Sequence, residues 1–126
     1  MDFDGKFIWN ELMTSDVEAA KAFYAAVGRW TYQDMPSPDG ETYTVCNLPG
    51  APMGVAGISY WPDDKPGGKD WMPYMGTTDI SASMARLVEA GGKVIRDVFT
   101  VPNTGDIAIV QDPTGAVFGL LQPVPM

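Results

Sequence analysis

The sequence predicts an α+β protein built from two tandem βαβββ modules, because its two halves resemble each other at an offset of 63 residues. Thr14 and Asp16 of the first half correspond to Thr77 and Asp79 of the second. Each copy has an apolar strand, a polar corner, a short amphipathic helix and a glycine stop. A fused pair of such modules usually encloses a cleft, so the repeat also predicts where a site lies.

The first module, about residues 5–60, is predicted to contain one helix and four strands. Ser15 or Asp16 caps the helix, since Ser15-x-x-Glu18 has the form of a capping box, and Gly28 ends it. The apolar face of this helix is predicted to comprise Val17, Ala20, Tyr24 and Val27, with Phe23 beside it. The predicted strands are residues 6–13, 30–35, 41–48 and 53–60, with a turn at 37–40.

Residues 62–70 form the predicted linker, because they are rich in proline, glycine and charge. In the second module, about residues 71–123, Thr78 or Asp79 caps the helix and Gly91-Gly92 ends it. Its apolar face is predicted to comprise Ile80, Met84 and Leu87. The predicted strands are residues 71–76, 93–99, 106–110 and 116–122. Residues 1–126 are expected to form a single domain.

Composition excludes several kinds of partner. The net charge is −8 and the eight basic residues are scattered, whereas nucleic-acid binding needs clustered lysine and arginine. No apolar run approaches the roughly 20 residues of a membrane span, and no signal peptide is visible. The single cysteine, Cys46, is expected to be buried in a strand and favours a reducing cytoplasm.

The chain has no histidine. This absence excludes Ser–His–Asp and Cys–His catalysis, and it excludes the HExxH zinc motif. Zinc, iron and nickel sites depend on imidazole, and one cysteine cannot replace it. We therefore expect no metal and no other cofactor.

Three segments of the chain carry a family pattern: ELMTSDVEAAKAFY with Trp30 soon after it, TTDISASMARLVEAGGKV, and IVQDPTGAVFGLLQP. Together they resemble the vicinal oxygen chelate superfamily, which includes glyoxalase I, the bleomycin-resistance proteins and the extradiol dioxygenases. The resemblance is closest to a glyoxalase-like branch whose strands begin W-x-E-L. It implies a cupped, mostly antiparallel sheet, the glyoxalase/bleomycin-resistance fold, commonly completed by a second subunit, so a homodimer is expected.

The resemblance also implies where metal ligands lie in metal-dependent members: on the first and last strands of both modules, as histidine, glutamate or glutamine. The corresponding positions in this chain are Trp9, Gly57, Met72 and Gly119. None of these side chains can ligate a divalent metal. The chain is therefore expected to be a metal-free member.

The residues beside these positions give the predicted ligand contacts. Because side chains alternate along a strand, Glu11 shares a face with Trp9, and Tyr74 with Met72. The remaining predicted contacts are Gly57, Ser59, Gly119 and Leu121. The two glycines are expected to leave open volume, which favours a pocket for a flat or apolar small molecule. Core packing of the apolar members, and a solvated or paired Glu11, remain alternatives.

Two functions fit this predicted pocket. The first is a binding protein of the bleomycin-resistance type. Its ligand would be planar or apolar, and a cationic ligand is one option. The second is a cofactor-independent isomerase, epimerase or lyase, with Glu11 as general base and Tyr74 as acid. A regulatory domain with a vestigial pocket is a third alternative. Trp61 and Trp71 flank the linker and are expected to form either a lid, given Gly67-Gly68 between them, or a dimer contact.

Overall fold

A computed structural model describes residues 3–36, 40–65, 69–102 and 104–125. The chain divides into two compact units by its contacts. The first unit is Trp9–Trp71, and the second combines Met1–Ile8 with Met72–Met126. Most of the turn predicted at 37–40 lies outside the described residues, and so do Gly67 and Gly68.

The first unit contains a helix and four paired strands, as predicted. Its elements are β1 (Phe7–Thr14), α1 (Val17–Gly28), β2 (Thr31–Pro36), β3 (Thr42–Asn47) and β4 (Ala56–Tyr60). The strand order is β2-β3-β4-β1, with β1 parallel to β4 and the other pairs antiparallel. The βαβββ pattern is confirmed, although β4 begins at Ala56 rather than at residue 53.

The second unit repeats this arrangement. Its elements are β5 (Asp70–Gly76), α2 (Ile80–Glu89), β6 (Lys93–Val101), β7 (Gly105–Gln111) and β8 (Val117–Pro123). The strand order is β5-β8-β7-β6, with β5 parallel to β8 and the other pairs antiparallel. The equivalent order and the equivalent parallel pair in both units support the internal repeat.

The corner before each helix is built in the same way in both units. Asp16 and Asp79 are the N-cap residues, so the alternatives Ser15 and Thr78 are wrong. Each aspartate accepts a backbone hydrogen bond from the residue three positions later, at 3.0 and 3.1 Å. Each also donates its own N–H to a threonine hydroxyl two positions earlier, at 3.1 Å in both units. These bonds satisfy donors that a helix start would otherwise leave unpaired.

The end of α1 corrects one prediction. Gly28 is the last helical residue, but the left-handed conformation falls on Arg29, with φ 59°. Val27, expected on the buried face, is 68% exposed. Aromatic rings, rather than Val27, pack between this end of the helix and the sheet. Trp30 stacks on Tyr24 with ring centroids 5.2 Å apart.

Each helix packs on one face of its own sheet. The core of the first unit comprises Leu12, Cys46, Ala56 and Ile58, and that of the second comprises Ile80, Ala108, Val110 and Leu120. Met84 and Leu87 pack against the second core, as predicted. Burial raises the pKa of Cys46 to about 11, so this thiol stays protonated at neutral pH.

Gly105 begins β7 in a conformation that other residues rarely adopt, with φ 143°. It is paired with Pro123 across β7 and β8. A Cβ at this position would overlap the carbonyl oxygen of Gln122 and lie 2.9 Å from the carbonyl carbon. The close approach of the two backbones therefore requires glycine here.

Candidate functional site

Three side chains form a hydrogen-bonded network on the face of the first unit that points away from α1. Trp9 donates its indole N–H to the hydroxyl of Tyr43 at 2.8 Å. Tyr43 in turn makes a side-chain hydrogen bond with Glu11. Leu12 belongs to the core beneath the helix, and strand alternation places Glu11 on the opposite face with Trp9. The prediction that these two residues share a face is confirmed.

Glu11 is 4% exposed, whereas Trp9 and Tyr43 are only partly buried. A buried carboxylate is costly unless it is hydrogen bonded or used. The alternative of a solvated Glu11 is wrong, because the side chain is buried and hydrogen bonded to Tyr43.

The phenol of Tyr43 is held in its neutral form. Burial, and then the negative charge of Glu11, raise the pKa of Tyr43 far above its ordinary value. The hydrogen bond from Trp9 has a smaller, opposite effect. A neutral phenol has one O–H to donate, so it donates to Glu11 while it accepts from Trp9.

Gly57 lies directly opposite Glu11, in the parallel pairing of β1 with β4. The sequence predicted open volume at this glycine, and that prediction is wrong. A Cβ at position 57 would overlap the hydroxyl of Tyr43 and would lie 3.2 Å from Nε1 of Trp9. The space that the glycine leaves is filled by the phenol, which reaches it from β3.

Ser59, another predicted ligand contact, pairs with Met13 on β1. Its hydroxyl donates to the sulfur of Met13 at 3.1 Å. Met13 is buried and Ser59 is partly buried. The structure therefore brings Trp9, Glu11, Gly57 and Ser59 together on one face of the first unit, with Tyr43 added.

The other four predicted contacts lie in the second unit. Tyr74 pairs with Gly119, and Leu121 with Gly76, in the parallel pairing of β5 with β8. Met72, Tyr74 and Leu121 are all buried. A Cβ at Gly119 would lie 2.9 Å from Cγ of Tyr74, so the open volume predicted at this glycine is also wrong. The two units share this feature. Tyr43 covers Gly57 on β4, the strand parallel to β1, and Tyr74 covers Gly119 on β8, the strand parallel to β5.

A divalent metal does not fit the two positions of the first unit that the family resemblance indicates. Trp9 offers only an N–H donor, and position 57 has no side chain and is covered by the Tyr43 phenol. Within the described ranges, no group of three or more histidine, cysteine, aspartate or glutamate side chains is placed to hold a metal ion. The chemistry available at this face is that of a carboxylate, a phenol and an indole.

A cleft of about 630 Å³ lies in the second unit, beside the start of α2. None of the predicted site residues lines it. The backbone N–H groups of Thr78, Asp79, Ile80 and Ala82 all donate to side chains of the protein itself. These four groups are therefore committed to internal acceptors, and we do not place the site there.

The two tryptophans that flank the linker are largely covered by the protein, and the choice between a lid and a dimer contact stays a prediction. Trp61 is 7% exposed. Trp71 packs against the core of the first unit and donates its indole N–H to the hydroxyl of Tyr24 at 3.0 Å. No helix among the described residues is long and apolar enough to cross a membrane.

The sequence matches a family model described as "Glyoxalase-like domain" over residues 9–121. It is 37% identical over 121 residues, 96% of this chain, to CFP32 of Mycobacterium tuberculosis, a protein named as a candidate glyoxylase. It is 30% identical over 125 residues to the anthracycline biosynthesis protein DnrV of Streptomyces peucetius, which covers 89% of this chain. The match spans 45% of each relative, so the chain has about half the length of these proteins.

Solved structures show the same fold. A glyoxalase/bleomycin resistance protein/dioxygenase superfamily member from Vibrio splendidus aligns with TM-score 0.60 and 20% identity, over 90% of this chain and 96% of that one. The methylmalonyl-CoA epimerase of Mycobacterium tuberculosis aligns with TM-score 0.60 and 15% identity, over 92% of this chain and 86% of that one. The predicted α+β glyoxalase/bleomycin-resistance fold is confirmed.

Proposed function

Because the chain belongs to the glyoxalase-like domain family, we propose that it binds a small organic ligand without a metal ion, and that this ligand is planar and positively charged. The observation that carries the proposal is the buried carboxylate of Glu11, which is hydrogen bonded to Tyr43 on the same face as the partly exposed Trp9. Ring faces attract cations, and a carboxylate adds its full negative charge.

The hydrogen bonding of Glu11 is compatible with this role. An ionised carboxylate has two oxygens and can accept several hydrogen bonds, so the bond from Tyr43 can coexist with one from a ligand. The net charge of −8 favours the approach of a cation over that of an anion. The name of DnrV indicates anthracycline biosynthesis, and an anthracycline is a flat fused-ring compound.

The predicted contacts of the second unit stay predictions, and they are Met72, Tyr74, Gly119 and Leu121. Of these, Met72, Tyr74 and Leu121 are buried. Homodimer formation and cytoplasmic location also stay predictions, the first from the family resemblance and the second from the single cysteine.

The proposal is tested with doxorubicin, a planar cation, and with its neutral aglycone. In Glu11→Gln the affinity for doxorubicin is expected to fall about tenfold, since one favourable charge–charge contact is lost and tenfold corresponds to about 1.4 kcal/mol. The affinity for the aglycone is expected to change little. Isothermal titration calorimetry measures both.

Glu18→Gln is the matched control, because it removes the same charge from an exposed side chain on α1. It is expected to leave both affinities near those of the wild type. An equal loss for both ligands in Glu11→Gln, or the same loss in Glu18→Gln, would show that the Glu11 carboxylate does not recognise the cation.

The hydrogen bond between Glu11 and Tyr43 also favours a second candidate function, acid–base catalysis without a cofactor. Glu11 would take a proton from the carbon next to a carbonyl group, and the electron pair would move onto the carbonyl oxygen as an enolate. Return of a proton to either face of that carbon completes an epimerisation. Tyr74 remains the predicted acid for that return.

Methylmalonyl-CoA is a suitable probe, because the fold is shared with the epimerases that act on it. If this candidate is correct, the wild type treated with EDTA exchanges the α-proton for deuterium in D₂O, followed by NMR. Glu11→Gln is expected to slow this exchange about 100-fold, the usual size of a general-base contribution. Absence of exchange in the wild type would remove epimerisation of this substrate from consideration.

A further inference from the structure

Gly57 and Tyr43 are complementary in shape. The Tyr43 hydroxyl occupies the space into which a side chain at position 57 would project. Tyr43 pairs with Ser59 across β3 and β4, so its ring reaches Gly57 along the diagonal of the antiparallel ladder. A residue larger than glycine at position 57 would displace the phenol.

The position of this phenol fixes two other side chains. Its oxygen accepts from the indole N–H of Trp9 at 2.8 Å, and its O–H donates to Glu11. The indole has one donor and the neutral phenol has one O–H, so each group has a defined partner. A single hydroxyl thus orients both the aromatic surface and the carboxylate of the site.

We propose that Tyr43 is a positioning residue for Trp9 and Glu11. We also propose that position 57 is a glycine because any larger side chain there would overlap the Tyr43 phenol. The inference rests on the proposed function, since it assigns Tyr43 and Gly57 to the same ligand site. Tyr43 sets the selectivity for a cation by holding both the Glu11 carboxylate and the Trp9 indole through its hydroxyl.

The first experiment needs no ligand. The indole N–H signal of Trp9 in a ¹H–¹⁵N NMR spectrum, assigned with Trp9→Phe, reports its hydrogen bond to Tyr43. This signal is expected to move upfield in Tyr43→Phe and in Gly57→Ala. In Tyr32→Phe, which removes the same hydroxyl from a tyrosine that bonds the Lys21 carbonyl, it is expected to stay in place.

The second experiment measures doxorubicin and its aglycone by calorimetry in Tyr43→Phe, Gly57→Ala and the double variant. Each single variant is expected to lose about tenfold in affinity for doxorubicin and little for the aglycone. The double variant is expected to lose no more affinity for doxorubicin than the single variant that binds it more weakly, because both changes remove the same interaction. Tyr32→Phe is expected to bind both ligands as the wild type does.

The outcomes separate this inference from the proposed function. An unmoved Trp9 signal in Tyr43→Phe overturns the positioning role whether or not a ligand binds. Losses that add in the double variant overturn the pairing of Gly57 with Tyr43. A moved signal together with no doxorubicin binding by the wild type refutes the proposed function, while the contact between Tyr43 and Trp9 stands.

Thermal unfolding shows whether each variant is folded before its binding is measured. Tyr43→Phe keeps the ring and is expected to fold. If Gly57→Ala does not fold, Tyr43→Ala with Gly57→Ala tests the pairing instead, because the smaller residue removes the overlap. The double variant is then expected to fold and to show a cooperative thermal transition that Gly57→Ala lacks, and a double variant that also fails to fold overturns the pairing.

Discussion

Alanine at position 105 is expected to lower the free energy of unfolding by about 3 kcal/mol, through two costs that act together. The first is backbone strain, of about 1–3 kcal/mol, because φ at Gly105 is 143°. The second is overpacking, also about 1–3 kcal/mol, because the new Cβ would overlap the carbonyl oxygen of Gln122. Urea unfolding followed by circular dichroism measures the change.

Gly115→Ala separates these two costs. Gly115 also has a positive φ, 101°, but a Cβ there would meet only the Gln111 side chain, at 3.9 Å. This variant is expected to lose about 1 kcal/mol, the cost of strain without a steric clash. Equal losses in the two variants would mean that the contact between β7 and β8 at Gly105 is looser than the structure indicates.

Ile58→Ala is expected to have the other large effect, a loss of about 3 kcal/mol in the free energy of unfolding. Ile58 is fully buried in the core beneath α1. Truncation to alanine removes its transfer free energy and leaves a cavity that the surrounding side chains fill only in part. Urea unfolding of the variant, monitored by circular dichroism, gives the value.

Ile58→Val is the graded control for this site. It removes a single methylene and is expected to cost about 1 kcal/mol. Tyr60→Ala, at an exposed position on the same strand, is expected to cost less than Ile58→Ala. A loss below about 1 kcal/mol in Ile58→Ala would contradict the close packing of this core.

Local signals in the sequence were sufficient to predict most of the fold. Capping aspartates, apolar periodicity and glycine stops act over a few residues, and they predicted both helices and all eight strands in their sequence along the chain. Alternation along a strand predicted that Trp9 and Glu11 share a face. The family resemblance, not a local pattern, indicated Gly57 and Gly119, which the structure places on the strands next to β1 and β5.

The sequence did not predict Tyr43, because its position depends on the pairing register of two strands. A turn at residues 49–52 would have paired Tyr43 with Ile58, whereas the structure pairs it with Ser59. A shift of one residue moves a side chain to the opposite face of the sheet. The register is set by the longer connection from Leu48 to Val55, and its conformation is not evident from local patterns.

The failure at Val27 has a related cause. Helical periodicity placed Val27 beside Tyr24, but periodicity does not show how far the sheet extends beneath the helix. Tertiary contacts decided that: Trp30 and Trp71 cover Tyr24, and the last turn of α1 leaves Val27 exposed.

The phenol over Gly57 also limits how this half of the molecule can evolve. A histidine or glutamate at position 57 would meet space already taken by Tyr43, so the phenol would have to move. Loss of Tyr43 first would remove the partner of the Trp9 indole. Whichever substitution comes first, it removes a contact of this face, either the fit of the phenol over Gly57 or its hydrogen bond with the Trp9 indole.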